Sequence, residues 1–312
     1  MSAGVERKVV LVTRRSRLEE LVVRHQTLAQ AQFYVERLGG DVADYRCEHE
    51  AYEAAKQVTL AALVTHGRYQ VIDRAFLPNF LFGPHDIVVA LGQDGLVANT
   101  LKYLDGQPLI GVNPEPSRHD GLLLPFKAPD LPALLREVAL DRRSCKTVSM
   151  AEARLGDRQV LRAVNDLFIG PRSHTSARYE ISFDGRTETQ SSSGLIVSTG
   201  LGSTAWLKSI VTGSLGIAAA MTNGQVLPPS HGPLPWDSDL LQFVVREPFP
   251  SRSSQASLVY GRIAPRGALL LRSLMPDNGI IFSDGIEADH LAFTAGMEAR
   301  IALAERQGRL VV

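Results

Sequence analysis

An aspartate in a glycine-containing turn is the first candidate for chemistry. The turn LGQDG, residues 91–95, directly follows the apolar run from Asp86 to Leu91. Such a run is typical of a buried parallel strand, and ligands approach open α/β sheets at strand ends. Because a carboxylate repels phosphate, Asp94 suits a general base or a magnesium ligand better than a phosphate contact. Taken alone, an ordinary Asp-Gly turn that caps a helix is the better explanation.

A second candidate is the turn GLGSTAW, residues 200–206, which follows a predicted strand from Gly194 to Thr199. Two glycines, two hydroxyls and an aromatic ring at a strand-to-helix turn fit a nucleotide site. The pattern lacks the lysine of a phosphate-binding P-loop. By itself it is better explained as a turn with a Ser/Thr helix cap and a core tryptophan.

The third candidate is the pair Asn165-Asp166 within RAVNDLFIG. Polar neighbours inside an apolar strand cost free energy unless they are paired. Ribose hydroxyls could pair with them, and so could a neighbouring turn. The pair alone does not decide between the two.

Predicted strands alternate with predicted helices in the first half of the chain, and these elements must position the candidate residues. Strands and helices joined by short turns imply right-handed crossovers and an α/β sheet. The predicted elements are strand Lys8 to Thr13, helix Arg17 to Leu38, strand Val42 to Arg46, helix Glu50 to Leu63, strand Asp86 to Leu91, helix Leu96 to Leu104, strand Pro108 to Val112 and helix Asp130 to Leu140.

The second half reads as mostly β, with one helix from Thr204 to Val211. Gly, Pro, Ser and Asp separate most of the apolar runs. The predicted strands are Val160 to Ile169, Arg178 to Phe183, Gly194 to Thr199, Leu240 to Arg246, Ala256 to Ile263, Ala268 to Ser273, Gly279 to Ser283 and Ala299 to Ala304. The fold class is therefore an N-terminal Rossmann-like α/β domain followed by a β-rich, sandwich-like domain.

Composition narrows the class of protein. With 312 residues, 45% hydrophobic and 21% charged, the chain is long enough for two domains with ordinary cores. The formal net charge of zero gives no bulk attraction to nucleic acid or to an anionic membrane. Cys47 and Cys145 belong to no CxxC pattern, and the eight histidines are scattered, so no metal cluster is predicted. No apolar run approaches a membrane span, and the first apolar run is too short for a signal peptide, so we expect a cytoplasmic protein.

In their order along the chain, these three segments resemble those of the NAD kinase family. In that family a GGDG turn precedes a helix, an Asn followed by an acidic residue comes later on a strand, a TGSTAY-like turn follows, and a VDG-like turn lies near the end. The matching segments here are LGQDGLVANTLKYL, RAVNDLFIG, SSSGLIVSTGLGSTAW and IFSDGIEA. The resemblance is closest to the mitochondrial-type members, which share the look of PLIGVNPEPSRHDGLLLPF, RYEISFDG and VVREPFPSR.

The resemblance implies a kinase that transfers the γ-phosphoryl group of ATP, or sometimes of another donor, to the 2′-hydroxyl of the adenosine ribose of NAD. The family's catalytic aspartate matches Asp94, which would accept the hydroxyl proton, with Mg²⁺ on the donor phosphates. Gly92, Gln93 and Gly95 would line the phosphate path. The family usually forms homodimers or homotetramers.

The resemblance also implies a dinucleotide site in the β-rich domain. Asn165 and Asp166 would bind the ribose on the nicotinamide side. Ser193 stands where many members carry an acidic residue near the nicotinamide. The residues expected around the adenine end are Thr204, Ala205, Trp206 and Ser209.

Two departures keep other functions open. The family's second glycine is Gln93 here, and Leu96 stands where the family usually has Thr. They motivate a non-catalytic NAD(P)-binding sensor on the same fold. A kinase for another hydroxyl substrate, a lipid or a sugar, is a further alternative. Arg118 and Arg246 could contact phosphates, although ordinary surface or salt-bridge roles fit both at least as well.

The predicted domains are an α/β domain over residues 1–143 and a β-rich dinucleotide-binding domain over residues 144–304. The C-terminal segment, residues 305–312, could return to the first domain, as a family chain often does.

Overall fold

The structure is a computed structural model that describes residues 7–118, 120–226 and 232–312. The chain divides into two compact units. The N-terminal unit comprises Met1–Lys146 and Arg309–Val312, and the C-terminal unit comprises Thr147–Gly308.

The N-terminal unit is an α/β domain with a parallel sheet. Its strands lie in the order β2-β1-β3-β4, and all neighbours run parallel. The elements are β1 Val9–Thr13, α1 Arg17–His25, α2 Leu28–Arg37, α3 Val42–His66, β2 Tyr69–Asp73, β3 Ile87–Leu91, α4 Asp94–Leu101, β4 Pro108–Val112 and α5 Leu131–Ala139.

Every residue of β1, β3 and β4 is buried, which explains why these strands are continuous apolar runs. The last strand of the chain, β16 at Glu298–Val311, begins in the C-terminal unit and ends in the N-terminal one. There its residues Arg309 and Leu310 pair in parallel with β4.

The predicted strand from Val42 to Arg46 is wrong, because these residues form the first turns of α3. The Asp41 side chain accepts a hydrogen bond from the Ala43 N–H and caps the helix, a signal that the short apolar stretch obscured. The single helix predicted from Arg17 to Leu38 is two helices. Gln26 adopts φ 67°, and Thr27 caps the second helix.

The C-terminal unit is a β-sandwich with one long helix. Its elements are β5 Cys145–Leu155, β6 Val160–Ala163, β7 Asp166–Pro171, β8 Ala177–Phe183, β9 Arg186–Ser192, β10 Leu195–Ser198, α6 Trp206–Met221, β11 Leu241–Val245, β12 Tyr260–Ile263, β13 Leu269–Ser273, β14 Gly279–Ser283, β15 Ile286–Ala292 and β16. The first two residues of β5 belong to the N-terminal unit.

One sheet of the sandwich is antiparallel in the order β12-β11-β10-β7-β14-β15. The strands β16, β13, β8 and β9 pair antiparallel in the other, and β5 pairs with β6 and β16. Side chains alternate along β7, as a strand requires. Leu167 and Ile169 enter the core that joins the two sheets, whereas Phe168 packs on the opposite face beside α6.

The expected fold class, an α/β domain followed by a β-rich domain, is confirmed. Several predicted boundaries differ: the run from Val160 to Ile169 is broken at residues 164–165, and the run from Ala256 is a strand only from Tyr260 onward. The strands β2, β5, β9 and β15 were missed. Within the part of the chain that the structure describes, no helix is both long and apolar enough to cross a membrane.

Candidate functional site

The LGQDG turn lies between β3 and α4 in the N-terminal unit. Gly92 is buried, and a side chain there would come within 2.8 Å of the Leu96 side chain and 3.5 Å of the Arg14 side chain. Its N–H donates to the Val112 carbonyl at 3.2 Å. A Cβ at position 92 would therefore require the end of the Leu96 side chain to shift. Gln93 is half-buried, and Gly95 is exposed.

Asp94 is the first residue of α4, two positions earlier than predicted. Its Oδ1 accepts a hydrogen bond from the Leu123 N–H at 2.7 Å. The segment carrying Leu123 lies against β4 at Gly111, where a Cβ would be 2.1 Å from the Leu123 carbonyl oxygen. Gly111 thus permits the backbone approach that orients the Asp94 carboxylate. Neither Gly111 nor Leu123 was singled out from the sequence, although both lie in the family-like segment PLIGVNPEPSRHDGLLLPF.

A charged network lies next to the turn. The Arg14 guanidinium pairs with Glu48 at 3.0 Å, and Glu48 also pairs with Arg17. The Glu48 side chain is only 2% exposed and that of Arg14 is 9% exposed. Burial acts to raise the pKa of Glu48, but the two arginines outweigh it and the pKa is lowered. Arg14 Nε is buried without a hydrogen-bond partner among the described residues.

The network ends at Arg118. Its guanidinium pairs with Asp44 at 2.6 Å and with Glu115 at 2.8 Å, so the salt-bridge explanation of this arginine holds. Hydrogen bonds from Arg118 and Arg17 lower the pKa of Asp44 to about 2.

In the C-terminal unit, the Asn165-Asp166 pair and the glycine-rich turn lie together. Thr199 N–H donates to the Asn165 carbonyl at 3.0 Å, and the Thr199 hydroxyl donates to the Val164 carbonyl at 2.5 Å. At Gly202, a Cβ would be 2.1 Å from the Asn165 carbonyl oxygen. Only glycine therefore lets the two turns approach this closely.

Asp284, in the IFSDGIEA segment, fixes the same pair. Its carboxylate accepts the backbone N–H groups of Val164 at 3.1 Å, Asn165 at 2.6 Å and Asp166 at 3.3 Å. Its own N–H donates to the Asp166 carbonyl at 2.9 Å. This segment was part of the family-like pattern in the sequence, but no role was predicted for its aspartate. The structure shows that Asp284 holds the break between β6 and β7.

Asp166 is a buried carboxyl with an unused oxygen. It is 7% exposed, and its Oδ1 has no hydrogen-bond partner among the described residues. Burial raises the pKa of Asp166 to about 7; a hydrogen bond with Ser198 opposes the rise, and Asp284 adds to it. The half-buried Asn165 side chain likewise makes no hydrogen bond to a described residue. Unsatisfied polar groups of this kind are a feature of ligand sites.

The remaining predicted residues line different surfaces. Trp206 and Ser193 line a cavity of about 340 Å³ that also contacts Phe168 and Arg246. Thr204, which precedes α6, lines another cavity of about 660 Å³ together with residues of α6 and of the sheet. Ala205 and Ser209 are exposed and line neither.

These residues thus divide between the two units. Gly92, Gln93, Asp94 and Gly95 belong to the N-terminal unit, whereas the predicted dinucleotide-binding residues belong to the C-terminal unit.

Comparison with known proteins identifies the fold. The chain is similar in fold to yeast NADH kinase. The likeness to that structure, which was solved in complex with NADH, has a TM-score of 0.56 over 98% of this chain and 83% of the yeast chain, at 15% sequence identity. No family model and no curated protein matches the sequence. The likeness therefore rests on the three-dimensional arrangement.

Among the described residues, Glu19, His49 and Glu53 form a grouping that could hold a metal ion, which the scattered histidines did not predict. Glu19 accepts the Ser16 N–H at 2.7 Å, and the His49 ring is 3.0 Å from the Ser16 hydroxyl. These contacts serve the start of α1, and no second observation points to an ion there.

Proposed function

We propose that the protein is a kinase that phosphorylates the 2′-hydroxyl of the adenosine ribose of NAD to give NADP, with Mg-ATP as donor. The observation that carries the proposal is the Asn165-Asp166 pair. The Asn165 side chain and the Oδ1 atom of Asp166 have no hydrogen-bond partner among the described residues, and they stand on a turn that Asp284 and Gly202 hold in place. The fold of yeast NADH kinase, crystallised with NADH, supports a dinucleotide as the ligand.

Asp94 is the residue we assign to the chemical step. The Leu123 N–H fixes one carboxylate oxygen, and Oδ2 makes no hydrogen bond to a described residue. That free oxygen can accept the proton of the attacking hydroxyl, since a neutral hydroxyl is a poor nucleophile. The N–H groups of the first turn of α4 and the close approach allowed at Gly92 suit the negative charge of the donor phosphates.

Magnesium fits this arrangement as part of the donor. Mg²⁺ in such sites is bound by one or two carboxylates together with substrate phosphates. Asp94 brings one carboxylate to the turn, so the ion would be held mainly by phosphate oxygens. When bound, it would neutralise negative charge on the transferring phosphoryl group. The chain's own part is to orient the hydroxyl, accept its proton and position the phosphates.

The test is NADP formation. Wild-type protein incubated with NAD, ATP and Mg²⁺ should produce NADP, read with an NADP-specific dehydrogenase. Asp94→Asn should lose at least about 100-fold in rate, the typical contribution of a general base. Asp157→Asn, on an exposed turn, is the matched control and should keep full activity. NAD binding by calorimetry should survive in Asp94→Asn.

A sensor without catalysis is the second candidate, because Gln93 and Leu96 depart from the family turn. Leu96 is buried and directed at Gly92, so no hydroxyl is offered there. NAD or NADP binding without turnover, with either ATP or polyphosphate, would favour the sensor. Neither binding nor turnover would point to another hydroxyl substrate.

We also propose that the protein self-associates through α6. Within α6, only Leu207 is buried, so most of the helix is exposed. Most of its residues are nevertheless uncharged, and Lys208 is the one charged residue. Ile217 is 65% exposed and Met221 is 81% exposed. Exposed apolar surface of this kind is typical of interfaces. Light scattering should give a dimer or tetramer for the wild type and a smaller species for Ile217→Glu, and a monomeric wild type would contradict the proposal.

A further inference from the structure

A cavity of about 340 Å³ in the C-terminal unit has an aromatic floor and polar walls. Phe168 and Trp206 are nearly parallel, with 5.8 Å between ring centroids and 11° between planes. Phe282 packs against Phe168 at 4.9 Å. Ser193, between β9 and β10, and Arg246, directly after β11, line the same cavity. The floor can accept a planar ring by stacking.

The Arg246 backbone is fixed where the side chain enters this cavity. Its N–H donates to the Gly194 carbonyl at 2.8 Å, and the Ser193 N–H donates to the Arg246 carbonyl at 2.9 Å. The guanidinium carbon lies 5.3 Å from the centroid of the Trp206 ring and 5.9 Å from that of Phe168. These cation–π contacts hold the charge against the aromatic floor.

The donors of this guanidinium are nevertheless unused. The Arg246 side chain is only 29% exposed, and it donates no hydrogen bond to any residue that the structure describes. Its ion pair, with Glu247, spans 3.8 Å, which is too long for a hydrogen bond. A guanidinium offers five N–H donors in a planar fork that matches two oxygens of a phosphate.

Arg246 and Arg172 are the arginines among the described residues that line the cavity, and the Arg246 guanidinium lies against the aromatic floor. Arg172 is directed to the His290 ring. Glu287 is exposed at the rim. His174 also lines the cavity. A ring-bearing ligand with an anionic group fits this distribution.

We propose that Arg246 binds the phosphate of a nucleoside 5′-phosphate whose base stacks on the Trp206 floor. The inference rests on the proposed function, since either half of a dinucleotide is a nucleoside 5′-phosphate. Arg246 is then a specificity residue for the acceptor. The sequence alone did not decide whether this arginine contacts a phosphate or has a surface role.

The test compares ligands with and without the phosphate. Calorimetric titrations would use adenosine against AMP, and nicotinamide riboside against nicotinamide mononucleotide, to find which half occupies the cavity. For wild type, one of the two nucleotides should bind roughly tenfold or more tighter than its nucleoside, because hydrogen bonds between charged groups are stronger than those between neutral groups.

Variants of Arg246 test whether this side chain makes the phosphate contact. Arg246→Gln should abolish the advantage of the phosphate while leaving the nucleoside affinity unchanged. Arg246→Lys should recover part of it, because the charge returns without the planar fork. Arg252→Gln, at an exposed position, is the control and should behave as wild type.

The results separate the inference from the function it rests on. If NAD binds but the phosphate gives no advantage in either pair, Arg246 has no phosphate role and the kinase proposal stands. Equal weakening of nucleoside and nucleotide by Arg246→Gln would also overturn the inference, because it would show a structural effect. If neither NAD nor any probe binds the wild type, both the inference and the dinucleotide function fail.

Discussion

Replacing Asp166 by Asn should stabilise the protein at neutral pH, although Asp166 is proposed to bind the ligand. The carboxyl is 7% exposed, one of its oxygens has no partner among the described residues, and Asp284 lies close enough to repel its charge. An amide of nearly the same shape carries no charge to bury. A residue kept despite such a cost points to a role in function.

The magnitude follows from the pKa. Burial raises the pKa of Asp166 from 3.8 to about 7. Since each pH unit between the two values corresponds to about 1.4 kcal/mol, the ionised carboxylate is disfavoured in the folded state by about 4 kcal/mol. For a unit of this size, that corresponds to a change in melting temperature of roughly 10 °C.

The sign of the pH dependence is fixed by the direction of the shift. Below pH 3.8 the carboxyl is protonated in both folded and unfolded states and costs nothing. Between pH 3.8 and about 7 the unfolded chain loses the proton while the folded chain keeps it, so the free energy of unfolding falls. Above pH 7 the full cost is present. Asp166→Asn should therefore match wild type near pH 4 and exceed its stability by about 4 kcal/mol at pH 8.

The assay is urea unfolding followed by circular dichroism at pH 4, 6 and 8. Asp277→Asn, at an exposed position, controls for the change of side chain and should give a constant difference from wild type. A difference between Asp166→Asn and wild type that stays constant from pH 4 to 8 would refute the reasoning. NAD affinity, measured on the same samples, should fall in Asp166→Asn.

Two further predictions concern packing. Gly202→Ala should destabilise the protein by about 1–3 kcal/mol, because the new Cβ would meet the Asn165 carbonyl oxygen. The control Gly213→Ala, in the open part of α6, should be neutral or slightly stabilising. Equal melting temperatures for the two variants would contradict this prediction. Glu48→Ala should cost about 3–5 kcal/mol by leaving the Arg14 charge buried and unpaired, whereas loss of the partly exposed Asp44 should cost much less. Urea unfolding measures the stability of all these variants. Similar losses of stability on replacing Glu48 and Asp44 would show that burial does not decide how much each ion pair contributes.

Local patterns predicted the α/β half well where strands are fully buried. The apolar run before the LGQDG turn became β3, and the run from Pro108 to Val112 became β4. The same reasoning failed at Val42 to Arg46, because five residues cannot distinguish a strand from the start of a helix. The Asp41 cap and the helical spacing that continues to Leu63 decided for a helix.

The missed strand β9 shows why other elements were not predictable. Its sequence RTETQSS places polar residues at the buried positions, Glu188, Gln190 and Ser192, so no apolar alternation marks it. Their partners come from elsewhere in the chain. Glu188 accepts the Leu258 N–H at 2.8 Å, and the Tyr179 hydroxyl lies 2.9 Å from both Gln190 and Ser192. Polar burial of this kind is stable only when tertiary contacts satisfy it.

The sequence by itself determined where the turns lie and which residue types they carry, because glycines, capping residues and apolar runs act over a few positions. It placed Asp94 after a buried strand and Asn165-Asp166 within another. Tertiary structure alone decided the environment of those side chains. Asp284, more than one hundred residues from Asn165, holds its turn, and burial raises the pKa of Asp166. Such properties depend on which distant groups come within hydrogen-bonding distance, and a linear pattern does not contain that information.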